Sequence, residues 1–163
     1  MPGPPRPRTK APDAPRGLDH LDARGQGRTV RYELPWPPSI NNYWKRGRTT
    51  HAGAPGNEYL SEQARNFRAE VAMLVMKARG RAGPQPLKGP LLMVIAAEPP
   101  DRKGRDLDNI IKATQDGLQT ARAFDDDVQI QSLQITRCPT ARPGRVTVTL
   151  TELTNTNTEQ QPC

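Results

Sequence analysis

Prolines cut this chain into short lengths: there are 18 of them, with 13 glycines, in 163 residues. Proline cannot donate to a strand ladder and breaks a helix interior, so every regular element has to fit between the interruptions. Pro35-Trp36-Pro37-Pro38-Ser39 ends whatever strand precedes it, and Pro99-Pro100 closes the apolar run 91–97. Residues 83–90 are turn-rich, and Pro139, Pro143 and Gly144 divide the last two β-rich runs. Only 34% of the residues are apolar, so part of the chain must stay outside any core. One compact domain with loose ends is expected.

The loose ends are readable from composition. Residues 1–28 hold Pro, Gly, Arg and Asp with almost nothing to bury, which predicts a disordered basic arm, and 154–163 is a polar tail. Between them, 29–153 forms the predicted domain. Residues 29–34 alternate as a strand. From Asn57, taken as an N-cap, Leu60, Ala64, Phe67, Val71, Leu74, Val75 and Ala78 recur at helical spacing, and that helix ends near Gly80. The run 91–97 is too short for an ordinary helix and reads as a central strand. A second helix is predicted over 108–121, capped by Asp108, with Ile111, Thr114, Leu118 and Ala121 on one face. Residues 128–137 and 145–153 read as an antiparallel pair, and the alternation slips between Ile130 and Leu133, which predicts a bulge. The order β-α-β-α-β-β implies an α/β (α+β) fold, a small mixed sheet with two flanking helices.

A formal charge of +7 favours a polyanionic partner, nucleic acid first and an anionic membrane surface second. The longest apolar run falls far short of the roughly 18 residues of a membrane span, and Pro and Arg stand where a signal peptide needs apolar residues. A soluble, cytoplasmic protein with no membrane partner is therefore expected. Cys138 and Cys163 make neither a CxxC pair nor a disulfide framework, so zinc and thiol chemistry are not expected. In the loop 41–56, Lys45, Arg46, Arg48 and His51 lie among small residues behind Tyr43 and Trp44. Cations interleaved with aromatics suit phosphates and unstacked bases, although a Trp beside a strand end serves equally well as a core plug.

The chemistry concentrates in acids. Asp106 and Asp108 stand in Arg105-Asp106-Leu107-Asp108-Asn109, Lys112 follows one turn on, and Asp125-Asp126-Asp127 lies beyond the helix. Gathered carboxylates collect a hard divalent cation such as Mg²⁺, with Mn²⁺ as a substitute, and Arg102, Lys103 and Arg105 introduce the stretch with positive charge. An extended lead-in would put Asp106 and Asp108 on one side. Lys112 shares the helical face of Asp108, with Gln115 or Asp116 completing the stripe. A helix of about 13 residues at ~1.5 Å each puts roughly 20 Å between the two acidic groups. Either the chain returns toward the helix start, or a partner subunit completes the site. A metal beside a phosphate-binding surface points to a nuclease. The rivals are a basic module that binds branched DNA without cutting it and a nucleotide phosphohydrolase, the latter disfavoured because no Gly-rich phosphate cradle is present.

The chain resembles the RusA family of Holliday junction resolvases in three ordered motifs. They are Leu34-Pro35-Trp36-Pro37-Pro38-Ser39 with Asn41, Asn42 and Tyr43; Asp101-Arg102-Lys103-Gly104-Arg105-Asp106-Leu107-Asp108-Asn109 with Lys112; and Asp126-Asp127-Val128-Gln129-Ile130. The resemblance spans about 29–153. It implies a small homodimer that uses Mg²⁺ to cut four-way DNA junctions by paired symmetric nicks, in recombination and repair, often in phages. It further implies Asp106, Asp108 and Asp127 as catalytic, metal-binding carboxylates, with Asp126 the weaker neighbour, and Lys112 as catalytic lysine. Arg102, Lys103 and Arg105 match the family's basic run, which Gly104 interrupts here, and Lys45, Arg46 and Arg48 are the further expected DNA contacts.

Overall fold

The computed structural model describes residues 26–47, 57–80 and 85–153. Most of the predicted arm, the tail 154–163, and Arg48 and His51 in the basic loop lie outside the described residues. The elements in order are β1 (Gln26–Pro35), β2 (Trp44–Arg46), β3 (Glu58–Leu60), α1 (Glu62–Arg79), β4 (Leu91–Glu98), α2 (Leu107–Thr120), β5 (Ile130–Arg137) and β6 (Arg145–Leu153). Short 3-10 turns cover Ile40–Asn42 and Asp127–Gln129. A mixed four-stranded sheet in the order β1-β6-β4-β5 carries both helices, and β2 with β3 forms a separate two-stranded sheet.

Alternation builds the covered face. Tyr32 and Leu34 of β1 stand opposite Val148 and Val146 of β6, and Ile95 and Ala97 of β4 stand opposite the same two residues from the other side. All six are buried, in one cluster with Phe67, Val71 and Val75 of α1 and Ile110 and Leu118 of α2. Gly117 lets the helices meet, since a Cβ there would lie 3.0 Å from the Phe67 ring and 3.4 Å from Val71. Gly144 does the same for the strand ends, because a Cβ would collide with Pro100.

Four expectations need correction. The strands at 130–137 and 145–153 do not pair with each other: β6 runs antiparallel between β1 and β4, while β5 lies parallel to β4 at the sheet edge. Composition explains the choice, because β6 brings Val146, Val148 and Leu150 to the covered face, whereas β5 carries Gln131, Ser132 and Gln134, which tolerate an edge. The first helix starts at Glu62, not after Asn57, because residues 58–60 pair with 44–46 and Ser61 caps the helix by accepting from the Ala64 N–H at 3.1 Å. The second helix begins at Leu107 with Asp106 in the capping position, so Asp108 lies inside the first turn and only Asp106 is extended. The first strand also begins earlier than its alternation indicates, at Gln26. The bulge is present: Leu91 faces Ile130 and Leu92 faces Ser132, which leaves Gln131 over.

Candidate active site

The parallel pairing of β4 and β5 makes β4-α2-β5 a crossover unit, the connection that parallel neighbours require. The chain leaves β4, passes through the basic stretch, descends α2 and returns to start β5. This route brings the end of the acidic triplet back to the helix. Asp127 Oδ2 lies 3.9 Å from Lys112 Nζ, so the returning chain carries the end of the triplet to the middle of α2.

The three acids of the triplet have three different surroundings. Asp125 pairs with Lys88. Asp126 caps the 3-10 turn by accepting from the Val128 N–H at 3.0 Å. The Gln129 side chain reciprocates by accepting from the N–H groups of Asp125 and Asp126 at 2.8 and 3.0 Å and donates to the Gly89 carbonyl at 2.9 Å. Asp127 alone turns toward Lys112, and its side chain stays 42% exposed. Asp106 and Asp108 are exposed at the start of α2. The Asp106 side chain makes no capping bond, while Asp108 Oδ1 accepts from the Asn109 N–H at 2.8 Å. The positive end of the helix dipole favours negative groups at this point.

Lys112 is fixed from behind. Its Nζ lies 3.0 Å from Asp116 Oδ1, which settles the stripe as Asp108, Lys112 and Asp116. Asp116 is only 12% exposed and also faces Arg68 Nη2 at 3.6 Å, and Arg68 Nε donates to the Tyr43 hydroxyl at 2.8 Å. The Asp116 carboxylate, above all, raises the Lys112 ammonium above its ordinary range. Burial pushes the Tyr43 phenol up as well. Lys112 is thus held as a cation facing a carboxylate at the protein surface.

As a metal centre, Asp106, Asp108 and Asp127 suit a hard divalent ion in kind: all are carboxylates open to solvent, without sulfur or imidazole. As placed, no three acidic, histidine or cysteine side chains among the described residues stand close enough to hold an ion. Beside Asp106 opens a cleft of about 260 Å³, with Trp36, Ser39 and Asn41 on one side and Asp106 and Asn109 on the other. The first motif and the acidic motif therefore line the same cleft.

The expected DNA-binding cations differ in their surroundings. Arg102 and Lys103 are exposed, and neither side chain meets an acid among the described residues. Arg105 instead bonds both oxygens of Asp101, at 2.5 and 3.0 Å, and lies 5.7 Å over the Trp36 ring. That hydrogen-bonded partner lowers the Asp101 carboxyl to about 2. Lys45 stands opposite Tyr59 in the small sheet, and Arg46 pairs with Glu58 at 3.2 Å. Trp44 and Tyr59 are exposed there, while Tyr43 is wholly buried, so the core-plug role falls to Tyr43 and not to Trp44.

The profile described as Endodeoxyribonuclease RusA matches residues 35–151. The chain is 34% identical over 127 residues to the crossover junction endodeoxyribonuclease RusA of Escherichia coli strain K12, covering 78% of this chain and 98% of that protein. The corresponding proteins of Enterobacteria phage 82 and Shigella sonnei are each 33% identical with the same coverage. The chain belongs to the RusA endodeoxyribonuclease family. It is accordingly an enzyme, a nuclease, and the family extends to phages.

Residues that sequence spacing did not single out are Arg68, which reaches the site from a different helix, and Arg137, whose guanidinium donates to the Arg105 carbonyl beside Asp106. Asp116 carried a signal, its place four residues after Lys112. Among the described residues no helix is long and apolar enough to cross a membrane.

Proposed function

We infer that this protein is a Mg²⁺-dependent, structure-selective endonuclease that resolves four-way DNA junctions by paired symmetric nicks, acting as a homodimer in recombination and repair. The observation that carries the reading is the return of Asp127 to Lys112 across the β4-α2-β5 unit, because it joins two sequence-distant motifs at one exposed surface. The relatives' name, crossover junction endodeoxyribonuclease, supports the choice of substrate.

In this reading Asp106, Asp108 and Asp127 would hold Mg²⁺, with Mn²⁺ as substitute, and the metal would supply polarisation of the scissile phosphate and a lowered pKa for an attacking water. Lys112 stands beside the phosphate as a fixed cation and stabilises the charge that develops on its oxygens. Arg102 and Lys103, with Lys45, Arg46 and Arg48, grip flanking backbone through phosphate contacts that orient the DNA without reading sequence. Arg105, clasped by Asp101 and stacked toward Trp36, braces the loop that leads into Asp106. An isologous dimer presents two equal sites, which matches the symmetry of a junction and allows two nicks in strands of like polarity.

The test is cleavage of a labelled four-way junction by the purified protein with Mg²⁺, beside linear duplex of the same sequence. Paired nicks confined to the junction are expected, together with a dimer by sedimentation. Tight binding without nicks under either Mg²⁺ or Mn²⁺ would favour a non-cleaving branched-DNA binder.

A further inference from the structure

We propose that Asp116, anchored by Arg68 and Tyr43, is a positioning residue that aims the Lys112 ammonium at Asp127 and at the phosphate that binds there. The proposal rests on the catalytic reading of Lys112 given above and adds a route by which three separate elements fix that side chain.

The route is continuous. The Tyr43 backbone is pinned on both sides, its N–H donating to the Ile40 carbonyl at 3.1 Å and its carbonyl accepting from the Ser61 N–H at 2.9 Å. The Tyr43 hydroxyl takes the Arg68 Nε–H, and the guanidinium carbon lies 5.4 Å over the Tyr43 ring. This two-sided grip turns Arg68 toward Asp116 Oδ2, and the other carboxylate oxygen receives Lys112. The two ends differ in exposure: the Lys112 side chain is 54% exposed, Asp116 and Arg68 are 12% and 23% exposed, and Tyr43 is wholly buried. The open end is thereby tied to a closed one.

Lysine is a flexible point charge with substantial rotamer entropy, so it needs an anchor if it is to hold one position. A pair serving stability alone would be complete with Arg68 and Asp116, which are the two shielded partners. Lys112 adds little stability as an exposed helical pair. It does acquire a direction, since the ammonium that meets Asp116 at 3.0 Å also lies 3.9 Å from Asp127. Tyr43 belongs to the Ser39-Ile40-Asn41-Asn42-Tyr43 segment, so the first motif reaches the lysine of the second through α1.

Asp116→Asn and Asp116→Glu would be compared with the parent protein in steady-state and single-turnover junction cleavage, in junction binding without divalent ion, and in thermal melting. Asp116→Asn is expected to lower kcat by about tenfold or more, as a misaimed group does, while KM and metal-free binding stay within about threefold. Asp116→Glu, which keeps the charge, is expected to recover part of the loss. In a Lys112→Met background, Asp116→Asn is expected to cost nothing further, because both act through one ammonium. A full additional loss in that background, or a drop in kcat that follows a lowered melting temperature and disappears at lower assay temperature, would overturn the positioning role. If Lys112→Met itself cleaves normally, the catalytic reading of Lys112 falls, and this proposal with it.

Discussion

Replacing Lys112 by Met keeps most of the aliphatic stem and removes the charge. Its magnitude follows from distance: a unit charge 3.9 Å away, the separation of Lys112 Nζ from Asp127 Oδ2, interacts by 332/(εr). That is about 4 kcal/mol at an effective dielectric of ~20 and about 1 kcal/mol at ~80. With the side chain 54% exposed, a phosphate oxygen in the same position would feel a value between those limits. The excess charge of the transition state should therefore lose about 1 to 4 kcal/mol, a fall in single-turnover rate of roughly 5-fold to 1000-fold. The assay is single-turnover cleavage of a labelled junction at saturating protein and Mg²⁺, with the melting temperature followed in parallel. Fold stability should change little, since Asp116 keeps Arg68 as its partner. A rate within about twofold of the parent protein would refute the placement of Lys112 beside the reacting phosphate.

Asp108→Asn should abolish Mg²⁺-dependent cleavage yet leave junction binding equal or tighter, because a metal ligand and a repulsive charge are removed together; joint loss of binding and cutting would assign Asp108 a structural role. Arg102→Ala with Lys103→Ala should weaken junction binding without changing its selectivity and lower the slope of log affinity against log salt by up to about 2, measured by titration at several salt concentrations. The Asp101 carboxyl should titrate near 2 by NMR and return toward 3.8 in Arg105→Ala. Its folded pKa is depressed, so the Asp101–Arg105 clasp contributes its full stability above about 3.8 and loses it as pH falls through about 2. Gly117→Val should destabilise the fold by about 1 to 3 kcal/mol in urea unfolding, since its Cβ would already press the Phe67 ring.

The helices were legible because their signals are local: apolar spacing in α1 and α2, and the break at Gly80. Their exact starts were less so. Leu60 fits the helical period, yet pairing with Trp44 draws it into β3, a contact that no window around Leu60 contains. Strand partnership failed for the same reason, more severely. Pro139 to Gly144 resembles a hairpin connection, but β4 needs a neighbour on each side, and β6 with its buried Val146, Val148 and Leu150 takes the inner place. The polar residues of β5 were the available sign of an edge strand. Within the site, the acids and Lys112 were legible as types in a pattern, and the length of α2 correctly posed the problem of closure. Arg68 was not legible, because its partnership with Asp116 depends on how two helices cross at Gly117.

That crossing shows why such an exposed site can be built on so small a fold. Asp106, Asp108, Lys112 and Asp127 all lie at the surface, where polar side chains ordinarily have many positions open to them. Three of them, Asp106, Asp127 and Lys112, are restrained by different local devices. Asp106 stands at the junction of loop and helix, below a loop braced by Arg105 on Asp101 and Trp36. Asp127 is set by the capping box that Asp126 and Gln129 close, and Gln129 in turn ties this turn to the strand lead-in at Gly89. Lys112 is restrained through Asp116, which α1 reaches only because Gly117 lets the helices approach. The charges that would face DNA can thus remain solvated, and open to phosphate, while Asp116, the support behind Lys112, is largely shielded. The apolar core contributes indirectly, by fixing the elements that carry those supports.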